Sequence, residues 1–233
     1  ACYCNFIGGV DFEETRKNPG SPFIENLPGA YMYVNYRSPS TSKIQSTYKV
    51  AYGTFGYETE DSNTDLRNES YTISYSNVFK PTSTVQLNIE WFEYQTRSNW
   101  SIWRENNLFG YFDKEQISSS LSLDIFRGNN QEFRIKGKIY GLKAKNPRSY
   151  RVSSNGYMNA STDNMEAFQL SETAFQIRYK YEFSPLSNLY VVYTRGGKLS
   201  STFNQNDNFS DLYSGAWTNQ TLDKFIVKMR LKF

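Results

Sequence analysis

The chain has 233 residues, 38% of them hydrophobic and 17% aromatic, with a mean hydropathy of −0.67 and a net charge of +3. The longest uncharged apolar run, around Leu189 to Tyr193, is far short of the ~20 residues of a membrane-spanning helix. That excludes helical membrane proteins but not barrels, whose strands turn only alternate residues to lipid. The charge is too small to argue for nucleic acid, and the aromatic surplus of 19 Tyr and 17 Phe suits interfacial girdles.

In chain order, 3–12 is a weak strand candidate, with the two cysteines, Cys2 and Cys4, on either side of its first residue. Residues two apart on a strand diverge too far for easy bridging. The pair reads either as small apolar residues or as a redox or metal-docking pair. No signal peptide opens the chain, so an exported protein would be represented by its mature form or its C-terminal part. Segments 30–37 and 44–57 are strands of blurred alternation.

Later segments alternate sharply. Tyr71, Ile73 and Tyr75 are interleaved with Thr72, Ser74 and Ser76. Val85, Leu87, Ile89 and Trp91 share one parity, with Gln86, Asn88 and Glu90 between them. Ile117, Leu121, Leu123 and Ile125 alternate with Ser118, Ser120, Ser122 and Asp124. Phe133, Ile135, Gly137 and Ile139 alternate with Arg134, Lys136 and Lys138. Phe175 to Phe183 alternate with Gln176, Arg178, Lys180 and Glu182, and a further strand covers 189–193. The last strand sets Phe225, Val227, Met229, Leu231 and Phe233 against Lys224, Ile226, Lys228, Arg230 and Lys232. Period-two alternation marks strands lying between two contrasting media, and no amphipathic helix is expected.

Short turn-like links at 38–43, 80–83, 127–130 and 184–188 alternate with long polar links near 13–29, 59–68, 98–110, 146–167 and 198–219. Strict alternation of this kind suits a porin-like barrel with short periplasmic turns and long extracellular loops. Phe79, Phe126, Phe183 and Phe233 close strands at the short-turn end and are read as an outward periplasmic aromatic girdle. The expected architecture is an all-β, antiparallel up-and-down transmembrane β-barrel. Residues 1–233 form a single region of about ten strands, either complete or part of a larger barrel.

The terminal strand (Phe225, Val227, Met229, Leu231 and a final Phe233) resembles the C-terminal recognition signal of bacterial outer-membrane proteins. The resemblance implies an assembly signal read by the barrel assembly machinery, and a chain embedded among outer-membrane lipid and lipopolysaccharide with its C-terminus on the periplasmic side. Tyr179–Tyr181–Phe183, Ser184–Pro185–Leu186–Ser187–Asn188 and Leu189–Tyr190–Val191–Val192–Tyr193 together resemble a hairpin recurring in a family of large bacterial outer-membrane proteins. Those proteins place a module similar to a family-nine carbohydrate-binding domain ahead of a C-terminal barrel. This chain would then be the C-terminal part of such a barrel.

The chemistry of sites is mostly excluded. With no histidine in the chain, Ser–His–Asp and Cys–His nucleophilic sites, His-containing zinc sites and usual haem ligation are absent. No catalytic residue, resident metal or cofactor is assigned, and the chain reads as non-enzymatic. Loop acids such as Glu58, Glu60, Asp61, Asp207 and Asp211 are either solvated or suited to calcium.

The inward parity carries Arg134, Lys136, Lys138, Arg178, Lys180, Lys224, Lys228, Arg230 and Lys232, a basic lumen wall opposed by Asp124, Glu90 and Glu182. Such a wall attracts anions, or is simply solvated, or docks an acidic plug domain. The loop aromatics Trp100, Trp103, Tyr150, Tyr157, Tyr213 and Trp217 stack on sugars, pack the loops or grip a partner. The expected function is a porin-like or gated conduit for anionic or saccharide solutes. The alternative is a non-conducting anchor for a carbohydrate-binding module or a surface lipoprotein.

Overall fold

Residues 2–11, 24–39, 43–61, 64–105 and 107–232 are described by a computed structural model. Phe233, much of the first long link and the middle of the 38–43 turn lie outside the described residues. The strands are β1 (Cys2–Asp11), β2 (Ile24–Arg37), β3 (Ile44–Tyr57), β4 (Asn68–Phe79), β5 (Val85–Glu105) and β6 (Leu108–Arg127). They continue with β7 (Gln131–Val152), β8 (Met158–Ser161), β9 (Phe168–Ser184) and β10 (Ser187–Thr202). A helix, α1 (Phe209–Thr218), precedes β11 (Gln220–Arg230).

All the strands join one sheet, and every named pair is antiparallel. Ten follow each other in chain order, with β8 added beside β7. Among the described residues β1 and β11 do not pair with each other, so the sheet is not closed. It is nonetheless strongly curled. Met158 N–H donates to the Glu58 carbonyl at 2.8 Å, Glu58 N–H to that of Glu25 at 2.8 Å, and Glu25 N–H to that of Gly156 at 3.0 Å. These bonds tie the ends of β2 and β3 to the β7–β8 connection, although β4, β5 and β6 separate them in the ladder.

Register explains why the alternation is so regular. Ile44, Phe79, Leu87, Leu123, Ile135, Ile177, Tyr193 and Phe225 are successive cross-strand partners from β3 to β11. A second row runs Val85, Ile125, Phe133, Tyr179, Val191 and Val227. No protein layer covers this apolar face at Val50, Ile73 or Val227, which are 58%, 54% and 58% exposed. The opposite face is polar and more enclosed: Ser74, Asn88, Ser122 and Asp124 are buried there. A curved sheet crowds its concave side, so the polar face is the concave one.

The expected long links are partly regular structure. β5 and β6 continue through the 98–110 segment to a turn around Asn107, and β7 runs on to Val152. This upper hairpin is buried on both sides. Phe109 and Tyr111 pack with Ile24, Tyr57, Leu66, Tyr150, Val152 and Met158. Neighbouring Phe112 packs with Leu142 and Ala144, flanked by Trp100 and Phe168. Strands buried on both faces lose the apolar–polar alternation by which strands are recognised.

The expectation of no amphipathic helix is also corrected by α1. Asn208 caps it, its side chain accepting from Asp211 N–H at 3.0 Å while the Asp211 carboxylate accepts from Asn208 N–H at 2.9 Å. Phe209, Leu212, Tyr213, Ala216 and Trp217 recur at helical spacing, and Leu212 and Ala216 are fully buried. The helix lies against β7, β9 and β10 on the same side as the apolar rows, above them. Phe175 meets Trp217 edge-on at 6.1 Å, and Lys143 sits 4.7 Å from the Phe209 ring. Burial there pushes the Tyr213 phenol up to about 12.

Candidate functional site

The concave polar face gathers most of the residues read as a basic wall, and it also supplies their counter-charges. Asp124 pairs with Arg134, Arg134 reaches Glu132 at 3.4 Å, and Glu132 pairs in turn with Arg178. Lys136 is 2.8 Å from Glu90, whose other oxygen accepts from the Ser120 hydroxyl at 2.8 Å. Lys180 lies 4.0 Å from Glu182. Partly exposed pairs of this kind contribute ~0.2–1 kcal/mol each. Their main effect here is to neutralise charge: the expected counter-charges Asp124, Glu90 and Glu182 are joined by Glu132, which makes the wall more mixed than expected. Glu132 escapes a reading of the sequence because it precedes the segment where alternation is clear.

The wall is also divided. β10 presents Tyr190, Val192 and Thr194 between β9 and β11, so Lys224, Lys228 and Arg230 form a separate group on the sheet's last strand. They make no ion pair among the described residues, and Lys232 lies just past that strand. Lys138 likewise has no ion-pair partner among the described residues, whereas nearby Lys198 is held by Glu172 at 2.9 Å.

A β-bulge alters the face in β5. Ile89 opposes Leu121, yet Trp91 opposes Ser120, and the same slip appears against β4. Below the bulge Val85, Leu87 and Ile89 share the apolar side; above it Phe92 and Tyr94 do. Trp91, read as the end of the apolar series, therefore stands with Ser120 on the polar face. A bulge inserts one residue and turns every later side chain of the strand to the other side.

Trp91 borders a recess of about 770 Å³ on that face, with Lys138, Tyr140, Glu172 and Lys198 around it. Its floor is made of Ser118, Ser120, Ala174 and Gly196, whose small side chains leave the space open.

Phe126 needs a second correction. It opposes Glu132, in register with the polar row, so it cannot share a girdle with Phe79, which lies in the apolar row. Phe183 has the apolar parity of Tyr179 and Tyr181 at the last turn of β9 and is 41% exposed. Phe225, Val227, Met229 and Leu231 are all exposed, on or just beyond β11, whose outer edge has no partner strand among the described residues.

The loop aromatics are mostly packing residues. Trp100 packs at a tilt against Phe112 and Phe168, Trp103 joins the first cluster and Tyr150 is buried. The loop acids are occupied as well: Asp207 accepts from Gln169 at 2.6 Å and from Asn204 at 2.9 Å, and Asp211 caps α1. No group of three or more Cys, Asp or Glu converges among the described residues.

No protein-family model matches the chain, and no curated protein or solved structure is similar to it.

Proposed function

We propose that the chain forms the wall of a bacterial outer-membrane β-barrel, with its apolar face on lipid and its concave polar face lining a water-filled passage for polar solutes. The observation that carries this reading is the apolar row through eight successive strands with exposed members such as Ile44 and Phe225. In water an uncovered apolar surface of that extent would be an aggregation hazard; against lipid it is stabilising, at ~25 cal/mol per Å² removed from water.

The short connections then face the periplasm and α1 lies on the cell-surface side. Phe225, Val227, Met229 and Leu231 serve as the strand that the assembly machinery engages. The likeness of the Tyr179–Tyr193 hairpin to the large outer-membrane family supports the same location.

Nitroxide labels on the full chain in lipid vesicles test this reading. Labels at Val50, Ile73 and Val191 should relax with oxygen, and labels at Gln176 and Thr194 with a water-soluble nickel chelate. Equal nickel access at both sets would overturn the membrane reading.

Conduction is tested separately in planar bilayers, where Lys138→Glu should change anion preference more than Arg134→Glu, because Asp124 already neutralises Arg134. The second reading is a non-conducting anchor for a carbohydrate-binding module, a surface lipoprotein or a plug. The ion pairs along the lining favour it, since Asp124, Glu132 and Glu90 neutralise Arg134, Arg178 and Lys136 and weaken the field that would draw solutes in. A correct label pattern without conductance would select it.

A further inference from the structure

Trp91 and Lys138 on the polar face share one cross-strand row. The row runs Trp91, Ser120, Lys138, Ala174, Gly196 and Leu222. The adjoining row carries Glu93, Ser118, Tyr140, Glu172 and Lys198. Trp91 is 43% exposed although it sits on a concave wall. Lys138 has no ion-pair partner among the described residues, while Lys136 and Lys198 on either side are held by carboxylates at 2.8 and 2.9 Å.

Trp91 and Lys138 lie on β5 and β7, two strand spacings apart, or roughly 10 Å between backbones. Between them stands Ser120, whose hydroxyl is held by the Glu90 carboxylate at 2.8 Å, and beyond Lys138 come Ala174 and Gly196, so small residues leave the recess open. The recess has one apolar wall, the Lys138 ammonium, the Lys198–Glu172 ion pair, and hydroxyls at Ser118 and Tyr140.

The geometry points to a subsite for an acidic sugar, a pyranose bearing a carboxylate, in this recess; the inference rests on the polar face being a water-filled lining. A sugar ring has a C–H face that covers an indole and a rim of hydroxyls that need partners. Ser118 and the Glu172 carboxylate supply those partners. The ring carboxylate is received by the Lys138 ammonium, which brings no counter-charge of its own to displace. A neutral sugar would leave Lys138 unmatched. A flat aromatic acid would leave the hydroxyl-binding groups unmatched, and unmatched polar groups are what a site discriminates against.

Calorimetric titration of the full chain in detergent micelles tests this, with trigalacturonate, maltotriose and benzoate as probes. Trigalacturonate should bind best. Trp91→Ala should weaken it about tenfold or more, equivalent to ~1.4 kcal/mol, and Trp91→Phe, which keeps a ring, should recover part of the loss. Lys138→Gln should remove the preference for trigalacturonate over maltotriose. Equal binding of maltotriose, stronger binding of benzoate, no binding of trigalacturonate, or wild-type binding by both Trp91→Ala and Lys138→Gln would each overturn the proposal. If the nitroxide pattern is intact in that outcome, the subsite alone has failed; if the pattern is also lost, the reading of the wall has failed with it.

Discussion

Ile73 and Gln176 occupy opposite faces of the same sheet, and a lysine tests each face differently. Ile73→Lys places an ammonium among Val50 and Tyr94, its cross-strand neighbours, and near a bilayer midplane costs ~2–4 kcal/mol. Gln176→Lys adds a cation beside Lys136 and Thr194 on the wet side and should stay within ~0.5 kcal/mol. Urea-dependent folding into lipid vesicles measures both, and equal losses would contradict the lipid-facing assignment. Asp163 offers a test by pH. Hydrogen bonds from the Arg151 guanidinium, at 2.8 and 2.9 Å, and then from the Ser161 hydroxyl hold its carboxyl below the usual range. A depressed value means the stabilisation is complete above the unfolded-state pKa and is lost as pH falls through the folded one. Protection of the Met158–Ser161 amides, taken relative to their intrinsic exchange rate at each pH, should therefore fall in acid, and Arg151→Met should remove that step. The facing of most residues is legible because strand side chains repeat every second position: Ile73, Leu123, Ile135, Ile177 and Val227 all lie where alternation puts them. Phe126 is misplaced when judged by its chemistry, since its parity with Ser122 and Asp124 already puts it on the polar side.

The elements that escape the sequence lie at the end with the long links. The Asn208–Asp211 capping pair and the Phe209–Leu212–Tyr213–Ala216–Trp217 spacing are sufficient to announce α1, but they sit in a stretch rich in Asn and Ser that otherwise reads as loop. The upper part of the β5–β6 hairpin has no comparable signal, because Phe109, Tyr111 and Phe112 are buried on both sides and mixed with Arg104 and Asn107. Gly197 fixes how closely α1 approaches the sheet: a Cβ there would lie 1.8 Å from the Ala216 carbonyl oxygen. Gly197→Ala should lift the C-terminal end of the helix, seen as faster amide exchange in 212–218 with the strands unaffected. Asn208→Ala should cost ~1 kcal/mol by removing the cap, with the loss confined to the same segment. If exchange rose equally throughout β9 and β10, the helix would be a structural keystone of the sheet and not an appendage to it.

At the scale of the molecule, the order of strands and their antiparallel pairing are legible from turn chemistry and alternation, and the expected barrel entails a curled sheet, whereas the two edges left without a partner among the described residues are not legible. Curl arises from contacts such as Glu58 with Met158, which join elements separated by about a hundred residues of chain. The candidate recess is legible only in part. Parity alone puts Lys138 on the polar side, but Trp91 reaches that face through a bulge that no local composition signals.

That bulge has a wider consequence. β5 in effect carries two messages written half a period apart, with Glu90 and Trp91 as the phase slip between them. Deleting Glu90 would remove the slip and bring both halves into phase, because Ile89 and Trp91 would then be neighbours opposite Leu121 and Ser120 and every other side chain would keep its face. The shortened strand should therefore still fold into vesicles with its bulge gone, and both this deletion and Glu90→Gln should lose the Lys136 ion pair.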